Sequence, residues 1–256
     1  MRILLKLGGR AIERKEQREL LTTESRRLRE QHELILVHGG GHRVTALAER
    51  LGISSRFVDG VRMTGDEEMD VVDMVLAGAV NTELVRELNA AGVPAVGLTG
   101  ADARLVTGEA IRDEDAAPSH TGVPGAVDPA VVEALLRERL TPVCGSVAAA
   151  EDGRALNINA DSFTLALARA LGAEMCLFIS DTPGVLLDDR VQPVLDRVAV
   201  EEAIEAGSIS GGMIPKVRSA ISALDAGAAA AVIGSLSAEG DLAGMIEGTR
   251  GTRIHA

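Results

Sequence analysis

The chain contains no tryptophan, no tyrosine and only three phenylalanines among its 256 residues. Its apolar residues make up 46% of the total, so they are almost all aliphatic. A core of leucine, valine, isoleucine and alanine suits a sheet that is covered by helices. The length allows one large domain or two lobes.

Cysteines and long apolar runs are also scarce. Cys144 and Cys176 have neither the spacing of a metal site nor that of a disulfide framework, so we interpret them as buried thiols in a reducing cytoplasm. The most apolar stretch, residues 226–236, is too short to cross a bilayer, and the N-terminus has no signal peptide. The sequence therefore predicts a cytoplasmic protein without a membrane partner.

Positive charge is in short supply, because the formal net charge is −12. A nucleic-acid partner would require a basic face, so the composition argues against one. A small anionic substrate is not excluded. Its charge would have to be met locally by backbone N–H groups, helix N-termini and a few cations.

Lysine is the rarest cation, with only Lys6, Lys15 and Lys216 in the chain. Lys6 precedes Gly8 and Gly9, and Lys216 ends the glycine-rich run 211–216, whereas Lys15 lies in a charged run typical of a solvated helix. An ammonium is a compact charge that a planar guanidinium cannot replace at a transferring phosphoryl group. Lys6 and Lys216 are therefore candidate catalytic residues.

Short apolar runs alternate with helical segments, which is typical of βαβ units and a mostly parallel sheet. The region 106–127 breaks this pattern and predicts an irregular or hairpin insertion, and a lobe boundary is predicted near Gly153. Strands are predicted at 3–7, 33–37, 94–98, 141–147 and 175–179, helices at 12–31, 42–51, 67–91, 129–138 and 162–171, and a last βα section at 200–233.

Polar or glycine clusters follow four of these strands, after Leu7, Val37, Leu98 and Ile179. Ligands of open α/β sheets bind beyond the carboxyl ends of the strands. The strongest cluster is 38–41, in which three glycines allow backbone N–H groups to approach an anion. The alternative is a tight turn, with His38 either supporting the loop or acting as a base. The glycines match neither the dinucleotide fingerprint nor the Walker lysine motif.

Three further residues are candidates for substrate contacts. Arg62 lies in a predicted loop after Val58 and has the fork geometry that holds a carboxylate. Asn157 and Asp161 lie at a loop-to-helix junction. Either Asp161 caps the helix, or Asn157 holds substrate while Asp161 orients the lysine ammoniums.

These parts favour phosphoryl transfer. That reaction needs its reactants in line and its equatorial oxygens neutralised, which two lysines and glycine-rich loops can supply. No general base is needed if the acceptor is already an anion such as a carboxylate. Mg²⁺ would bridge the nucleotide phosphates with few protein ligands of its own, so no metal-ligating residues are predicted.

Six motifs follow one another along the whole chain. They are Lys6-Leu7-Gly8-Gly9, Val37-His38-Gly39-Gly40-Gly41, Gly60-Val61-Arg62-Met63-Thr64, Gly97-Leu98-Thr99-Gly100, Asn157-Ile158-Asn159-Ala160-Asp161 and Gly212-Met213-Ile214-Pro215-Lys216. Together they resemble the motifs of the amino acid kinase family and, within it, those of the acetylglutamate kinases. The ending 251–254 fits this resemblance as well.

The resemblance implies an α/β fold, namely a three-layer αβα sandwich with a mostly parallel central sheet and two lobes. Residues 1–153 would bind the acyl amino acid and form the dimer, and residues 154–256 would bind ATP. The expected reaction is transfer of the γ-phosphoryl group of MgATP to the side-chain carboxylate of N-acetyl-L-glutamate, in arginine biosynthesis.

The resemblance also implies roles for individual residues. Lys6 and Lys216 would stabilise the transferring phosphoryl group, and Asp161 would organise both lysines. The acyl amino acid would be held by Gly40, Gly41, Arg62 and Asn157. The nucleotide and its phosphates would be bound by Gly8, Gly9, Ser180, Asp181, Thr182, Pro183, Gly184, Val185, Ser208, Ile209 and Ser210.

The sequence departs from the family pattern at two places. Proline stands at position 124 within the glycine–valine stretch 122–127 over the acceptor, and 144–146 replaces a more usual Ser-Pro pair.

Arginine-inhibited hexameric members of the family carry an extra N-terminal helix. Because this chain begins at its first strand, we expect an arginine-insensitive homodimer.

Three other functions stay open. A sister enzyme could act on carrier-linked aminoadipate, carbamate or glutamate, although Arg62 and the triple glycine favour acetylglutamate. A regulatory nucleotide-binding module is disfavoured by the retained Lys6, Asp161 and Lys216. A nicotinamide oxidoreductase is disfavoured by the missing glycine fingerprint.

Overall fold

A computed structural model describes residues 1–58, 60–111 and 119–255, and the side chain of Arg10 is not described. Its centre is an eight-stranded sheet in the order β14-β16-β15-β11-β1-β2-β8-β5. All neighbouring pairs are parallel except β15–β16. These strands are β1 (Arg2–Leu7), β2 (Glu33–His38), β5 (Ala95–Thr99), β8 (Thr141–Gly145), β11 (Met175–Ile179), β14 (Val194–Asp196), β15 (Ala230–Gly234) and β16 (Thr252–His255).

Nine α-helices flank this sheet within the described ranges. They are α1 (Lys15–Leu28), α2 (Gly41–Arg50), α3 (Asp66–Val72), α4 (Asn81–Ala90), α5 (Ala130–Arg137), α6 (Ala160–Leu171), α7 (Arg197–Glu205), α8 (Met213–Asp225) and α9 (Asp241–Glu247), with 3₁₀ turns at Gly9–Ile12 and Asp102–Arg104.

Alternation along the strands separates two apolar layers. In β1, Ile3, Leu5 and Leu7 pack into one buried cluster with residues of α1, α2, α3, α4 and α9. Leu4 belongs to the second cluster, with residues of α5, α6, α7 and α8. Successive side chains of a strand point to opposite faces, so Lys6 shares the face of Leu4 and α6. The predicted three-layer architecture with its mostly parallel sheet is confirmed.

The region 106–127 contains a hairpin, which is one of the two alternatives that the sequence predicted for it. Its strands β6 (Val106–Ala110) and β7 (Thr121–Val127) are antiparallel and close into a small four-stranded sheet with β9 (Val147–Ala149) and β10 (Ala155–Ile158). The acidic run 113–115 and Pro118 lie outside the described residues. Pro124 pairs with Gly108 of β6 beyond the end of the β7–β10 pairing, where its missing N–H breaks no ladder.

Two further hairpins form outside these sheets. The first is β3 (Arg56–Val58) with β4 (Val61–Met63), and the second is β12 (Leu186–Leu187) with β13 (Arg190–Val191). The prediction that Arg62 lies in a loop is therefore wrong, because Arg62 lies in β4 opposite Phe57. Strands of only three residues give too short an alternation to be recognised in the sequence.

Two predicted elements differ in detail. The predicted helix 67–91 corresponds to a continuous helical segment from Asp66 to Ala90, but Asp73–Val80 between α3 and α4 is a π-helix. The predicted strand 141–147 divides at Ser146 into β8 and β9, which belong to different sheets. The division into lobes at 153 stays a prediction.

The cysteines match the sequence interpretation of buried thiols. Cys144 and Cys176 are free and buried, and burial raises the pKa of each thiol to about 12. None of the helices in the described ranges combines the length and apolarity that a bilayer crossing requires.

Candidate active site

Lys6 and Asp161 form an ion pair at the carboxyl end of the central sheet. Lys6 is the fifth residue of β1, and its Nζ lies 2.8 Å from Asp161 Oδ1 in the first turn of α6. The two side chains are 17% and 27% exposed, so they are shielded but still accessible to a ligand. The face alternation of β1 brings about this meeting, since Lys6 points toward the layer that contains α6.

Asn159, rather than Asp161, is the N-cap of α6. The Asn159 side chain accepts hydrogen bonds from the backbone N–H groups of Asp161, at 2.8 Å, and Ser162, at 3.3 Å. This cap satisfies two of the helix's unpaired donors. The Asp161 carboxylate therefore remains available for the lysine. Sequence reasoning missed Asn159, although its position before a helical run is an N-cap signal.

Lys216 lies in the first turns of α8 and borders a cavity of about 530 Å³. Its Nζ is 3.1 Å from Asp181 Oδ1, so the structure pairs Lys216 with Asp181 and Lys6 with Asp161. The organisation of both lysines by Asp161 stays a prediction. The predicted site residues that line this cavity are Lys6, Gly8, Gly9, Asp161, Ser180, Asp181, Thr182 and Lys216. Gly212 and Met213, which were not predicted as site residues, line it as well.

A second cavity, of about 250 Å³, is bordered by the glycine loop, which we define as Gly39–Gly41. All four residues that were predicted to hold the acyl amino acid, Gly40, Gly41, Arg62 and Asn157, line it. Residues that sequence reasoning missed also contribute, namely Phe57, Thr121, Ser146 and Asn159. Asn159, inside a recognised motif, and Ser146, inside the departure at 144–146, had a sequence signal, whereas Phe57 and Thr121 had none.

Arg62 is held by acceptors of the protein itself. Its Nη1 donates to Ser55 Oγ, at 2.6 Å, and to the buried carboxylate of Glu68, and its Nη2 donates to Gly41 O, at 2.9 Å, and to Thr45 Oγ1, at 2.7 Å. Each Nη group has two hydrogens, so both groups are fully used. A carboxylate ligand would meet the Nε–H, or an Nη group that leaves a present partner.

Asn157 is positioned by the small four-stranded sheet. Its Nδ2 donates to Thr64 Oγ1 at 3.0 Å, and its backbone N–H donates to His120 O at 2.7 Å. The backbone N–H of Thr64 in turn donates to Thr121 Oγ1 at 2.8 Å. The segment after β4 is therefore tied to β7 and β10, and Asn157 is held at the cavity wall.

Several predicted nucleotide residues lie outside the lining of these two cavities. Val185 and Ile209 are buried in the core, whereas Ser208 and Ser210 are exposed in the segment that leads to α8. Pro183 and Gly184 follow Thr182 but do not line the cavity. The nucleotide contacts of all six residues stay predictions.

The cluster after Leu98 does not line either cavity. Asp102 accepts hydrogen bonds from both the backbone N–H and the hydroxyl of Thr99, and Gly100 donates to Val147 O at 2.6 Å. The strand order explains this, since β5 is the edge strand and β8 separates it from β2. This motif has a structural role here.

The two cavities share Gly9, Lys6 and Asp161, so an ion pair lies where they meet. One cavity presents glycines, amides and a guanidinium, and the other presents a second lysine and a strand-end loop. Such a junction can hold two polar reactants on either side of an ammonium. Throughout residues 1–58, 60–111 and 119–255, no group of three or more histidine, cysteine, aspartate or glutamate side chains could hold a metal ion.

Comparison with known proteins relates this geometry to a family. The sequence model of the amino acid kinase family matches residues 1–235. An acetylglutamate kinase of Chloroflexus aurantiacus is 45% identical over 208 residues, which cover 81% of this chain and 82% of that protein. An acetylglutamate kinase of Methanopyrus kandleri is 38% identical over 259 residues, which cover 98% of this chain and 99% of that protein.

Solved structures have the same architecture. A protein of Streptococcus mutans has a TM-score of 0.80 and 28% identity, with 100% of this chain and 98% of that chain covered. Carbamate kinase of Giardia lamblia has a TM-score of 0.72 and 18% identity, with 99% of this chain and 98% of that chain covered. The second likeness concerns the fold alone.

Proposed function

The chain belongs to the amino acid kinase family, and on that premise we propose that it is a phosphotransferase that uses MgATP to phosphorylate the side-chain carboxylate of N-acetyl-L-glutamate. The product would be N-acetyl-L-glutamyl 5-phosphate, an acyl phosphate of arginine biosynthesis. Relatives named acetylglutamate kinase support this substrate. The chain matches them over most of its length and most of theirs.

The observation that carries the proposal is the Lys6–Asp161 pair between the two cavities. An in-line transfer requires the donor phosphate and the acceptor oxygen on opposite sides of the migrating group. We call the cavity of about 250 Å³ beside the glycine loop the acceptor cavity, and the cavity of about 530 Å³ beside Lys216 the nucleotide cavity. With the acceptor in the first and the nucleotide phosphates in the second, the migrating group would pass beside Lys6. The Lys6 ammonium would neutralise charge on its equatorial oxygens.

The acceptor supplies its own nucleophile, because a side-chain carboxylate is already ionised at neutral pH. The acceptor cavity therefore needs groups that bind and orient rather than a base. Asn157 and the loop Gly39–Gly41 provide polar groups at its wall, and Arg62 provides positive charge. This assignment agrees with the absence of any histidine from the lining of the two cavities in the described part of the chain.

Mg²⁺ is part of the proposal as a companion of ATP. It neutralises phosphate charge and prefers a near-complete oxygen shell of water and phosphate with one or two carboxylates. Asp161 and Asp181 are the carboxylates at the nucleotide cavity, and each contacts a lysine. The donor set thus fits a metal that arrives with the nucleotide rather than one that resides in the protein.

A homodimer is the assembly that we propose, with the N-terminal lobe as its interface. The strand β5 ends the main sheet on that side. Sedimentation of the purified protein should give the mass of two chains. A hexamer, or a monomer at micromolar concentration, would contradict this part of the proposal. A cytoplasmic location likewise stays a prediction.

The activity is tested by trapping the acyl phosphate with hydroxylamine. We expect a hydroxamate to form with N-acetyl-L-glutamate and MgATP, and none when either substrate is omitted. Free glutamate, aminoadipate and carbamate form the comparison panel. A clear preference for one of these would reject N-acetylglutamate as the acceptor, and no product with any acceptor would reject the phosphotransferase itself.

Lys216→Arg is the matched variant for this assay. A guanidinium keeps the positive charge but cannot replace the compact ammonium. We expect kcat to fall by roughly a hundredfold, the scale of losing one transition-state donor, while the KM for ATP changes little. Lys15→Arg is the control, since Lys15 is 77% exposed and forms an ion pair with Glu19 on its own helix. Wild-type turnover in Lys216→Arg would remove Lys216 from the mechanism.

A further inference from the structure

A buried histidine and a buried asparagine lie directly beneath the glycine loop. His38 is the last residue of β2 and Asn81 the first residue of α4, and they are 0% and 5% exposed. His38 Nε2 lies 3.0 Å from Asn81 Nδ2, and His38 Nδ1 lies 3.0 Å from Gly39 O. Neither side chain lines either cavity, so the proposed reaction does not account for them.

The partners of Asn81 determine where the proton of His38 lies. The Asn81 Nδ2 group is 2.8 Å from Val143 O and 3.4 Å from Leu98 O. Carbonyl oxygens only accept, so this end of the amide is the NH₂ group. One hydrogen goes to Val143 O, the nearest acceptor, and the second faces His38 Nε2 at 3.0 Å more closely than it faces Leu98 O at 3.4 Å. His38 Nε2 must therefore be the bare nitrogen. The single ring proton is on Nδ1 and is donated to Gly39 O.

The electrostatics of the site agree with a neutral ring. Burial lowers the pKa of His38 from 6.5 to about 4, and the charge of Arg43 acts in the same direction, against the hydrogen bond to Gly39. At neutral pH the ring therefore holds one proton. A neutral ring with one donor and one acceptor suits a site with one carbonyl and one amide N–H.

The surrounding fold leaves the Asn81 amide little freedom. A Cβ atom at Gly97 would lie 2.0 Å from Asn81 Oδ1, so the amide fills the space that glycine leaves on β5. Asn81 also directly follows the π-helix Asp73–Val80. Leu76 and Val80 of that segment would lie 2.9 Å and 3.3 Å from a Cβ at Gly40. The same helical segment therefore supplies the apolar side chains that pack against Gly40 and the amide that contacts His38. π-Helical turns are frequent at functional sites.

We propose that Asn81 and His38 are a positioning pair, in which Asn81 holds His38 as the Nδ1–H tautomer and His38 fixes the Gly39 carbonyl. The orientation of the peptide between Gly39 and Gly40 then sets the shape of the loop that lines the acceptor cavity. This inference rests on the proposed function for its kinetic consequences but not for its tautomer. Neither residue touches the reactants, so both act through the loop.

The test substitutes the donor at position 81. In Asn81→Asp the carboxylate only accepts hydrogen bonds, so His38 Nε2, which faces residue 81, must become protonated. We expect the long-range ¹H–¹⁵N spectrum to show a bare Nε2 for His38 in the wild type and a protonated Nε2 in Asn81→Asp. His38 is assigned by the signal that disappears in His38→Asn, since the chain has five histidines.

The kinetic readout separates the two substrates. We expect Asn81→Asp to raise the KM for the acceptor roughly tenfold, the upper range for one lost hydrogen bond, while the KM for ATP changes little. Asn89→Asp is the matched control on the same helix. Asn89 Nδ2 also donates to backbone carbonyls, those of Val85 and Ala95, but Asn89 contacts no residue of the glycine loop in these bonds.

A second pair of variants covers the case in which Asn81→Asp fails to fold. His38→Asn has an amide that can still donate to Gly39 O, whereas His38→Leu has no donor. We expect His38→Asn to keep an acceptor KM closer to that of the wild type. The proposal is overturned if wild-type His38 has its proton on Nε2, or if Asn81→Asp and Asn89→Asp raise the acceptor KM equally. A chain that phosphorylates none of the acceptors would reject the proposed function, yet the spectrum would still decide the tautomer.

Discussion

Two residues at the start of α6 have separate roles, one as the cap of the helix and one as the partner of Lys6. Asn159 caps the helix, and Asp161, in the first turn, contacts Lys6. A carboxylate near a helix N-terminus is favoured by the helix dipole. Because the cap lies elsewhere, this carboxylate can serve the lysine without weakening the helix. Chemistry and stability should therefore respond to different substitutions.

We predict that Asp161→Asn lowers kcat by roughly a hundredfold while the melting temperature stays close to that of the wild type. The variant keeps the size and the helix position but loses the charge that holds Lys6 Nζ at 2.8 Å. Steady-state kinetics and thermal unfolding of the same preparation measure both quantities. The KM for each substrate should change only modestly.

Asn159→Ala is the matched control, since it removes the cap two residues away. It should lose about 1 kcal/mol of stability, the usual cost of an N-cap. The assignment of Asp161 to the reaction would be refuted if Asp161→Asn lost stability as Asn159→Ala does while keeping its turnover. That result would return Asp161 to the role of a helix cap.

The residue types of the site could be predicted from the sequence, but several partners could not. The scarcity of lysine and the neighbouring glycines made Lys6 and Lys216 candidates, and the structure places both of them in the lining of one cavity. The pairing of Lys216 with Asp181 depends on how α8 packs against the end of β11. Asn81 gave no signal either, since one polar residue in a long helical pattern resembles a solvated position.

At the scale of elements, the hairpin β3–β4 is fastened over the acceptor cavity by one arginine. Arg62 extends from β4 to Ser55 before β3, to Thr45 and Gly41 of α2, and to Glu68 of α3. Its guanidinium also lies 4.7 Å from the ring centroid of Phe57. Since Arg62 and Glu68 are both buried, their ion pair is poorly screened by solvent.

We predict that Arg62→Lys raises the KM for the acceptor by about tenfold or more and lowers stability by about 2 kcal/mol. An ammonium has three donors and cannot meet four acceptors in different directions, and each lost bond to a charged group costs about 1.5–3 kcal/mol. The KM for ATP should change little, because Arg62 does not line the nucleotide cavity. Initial-rate kinetics and urea unfolding measure these effects.

Arg50→Lys makes the same chemical change at the exposed end of α2 and should leave both quantities unchanged. If Arg62→Lys raised the KM for the acceptor and the KM for ATP equally, the proposal that the hairpin supports only acceptor binding would be wrong.

Neither this hairpin nor the π-helix could be predicted from the sequence. The hairpin strands are too short for periodicity, and the π-helix differs from an α-helix only in its hydrogen-bond register.

At the scale of the whole molecule, the layered architecture was the easiest part to predict. The strands at the centre of the sheet are apolar on both faces, and the helices between them have one apolar face, so their order along the chain implies a parallel sheet. The strands β10, β14 and β16 were missed. They are three or four residues long, and their place is set by long-range pairing.

The stability of the whole molecule should depend on pH through His38. Its folded pKa is about 4 and its ordinary value is 6.5, with burial as the main cause and Arg43 as a smaller one. The unfolded chain therefore binds a proton between these values while the folded chain does not, so unfolding is favoured as pH falls through this window. The neutral His38 ring makes its full contribution to the free energy of unfolding above pH 6.5. As the pH falls, a loss of stability on the order of 3 kcal/mol is complete near pH 4.

Comparison of the wild type with His38→Asn isolates this effect, because other titrating groups are common to both proteins. Burial of His32 contributes in the same direction, whereas burial of Asp73 raises its pKa and contributes in the opposite direction, and both cancel in the difference if the sites are independent. We expect the free energies of unfolding of the two proteins to converge as the pH of urea titrations falls from 7 to 4. A constant difference across this range would mean that the folded protein accepts a proton on His38 without cost, and that the ring is not confined beneath the loop.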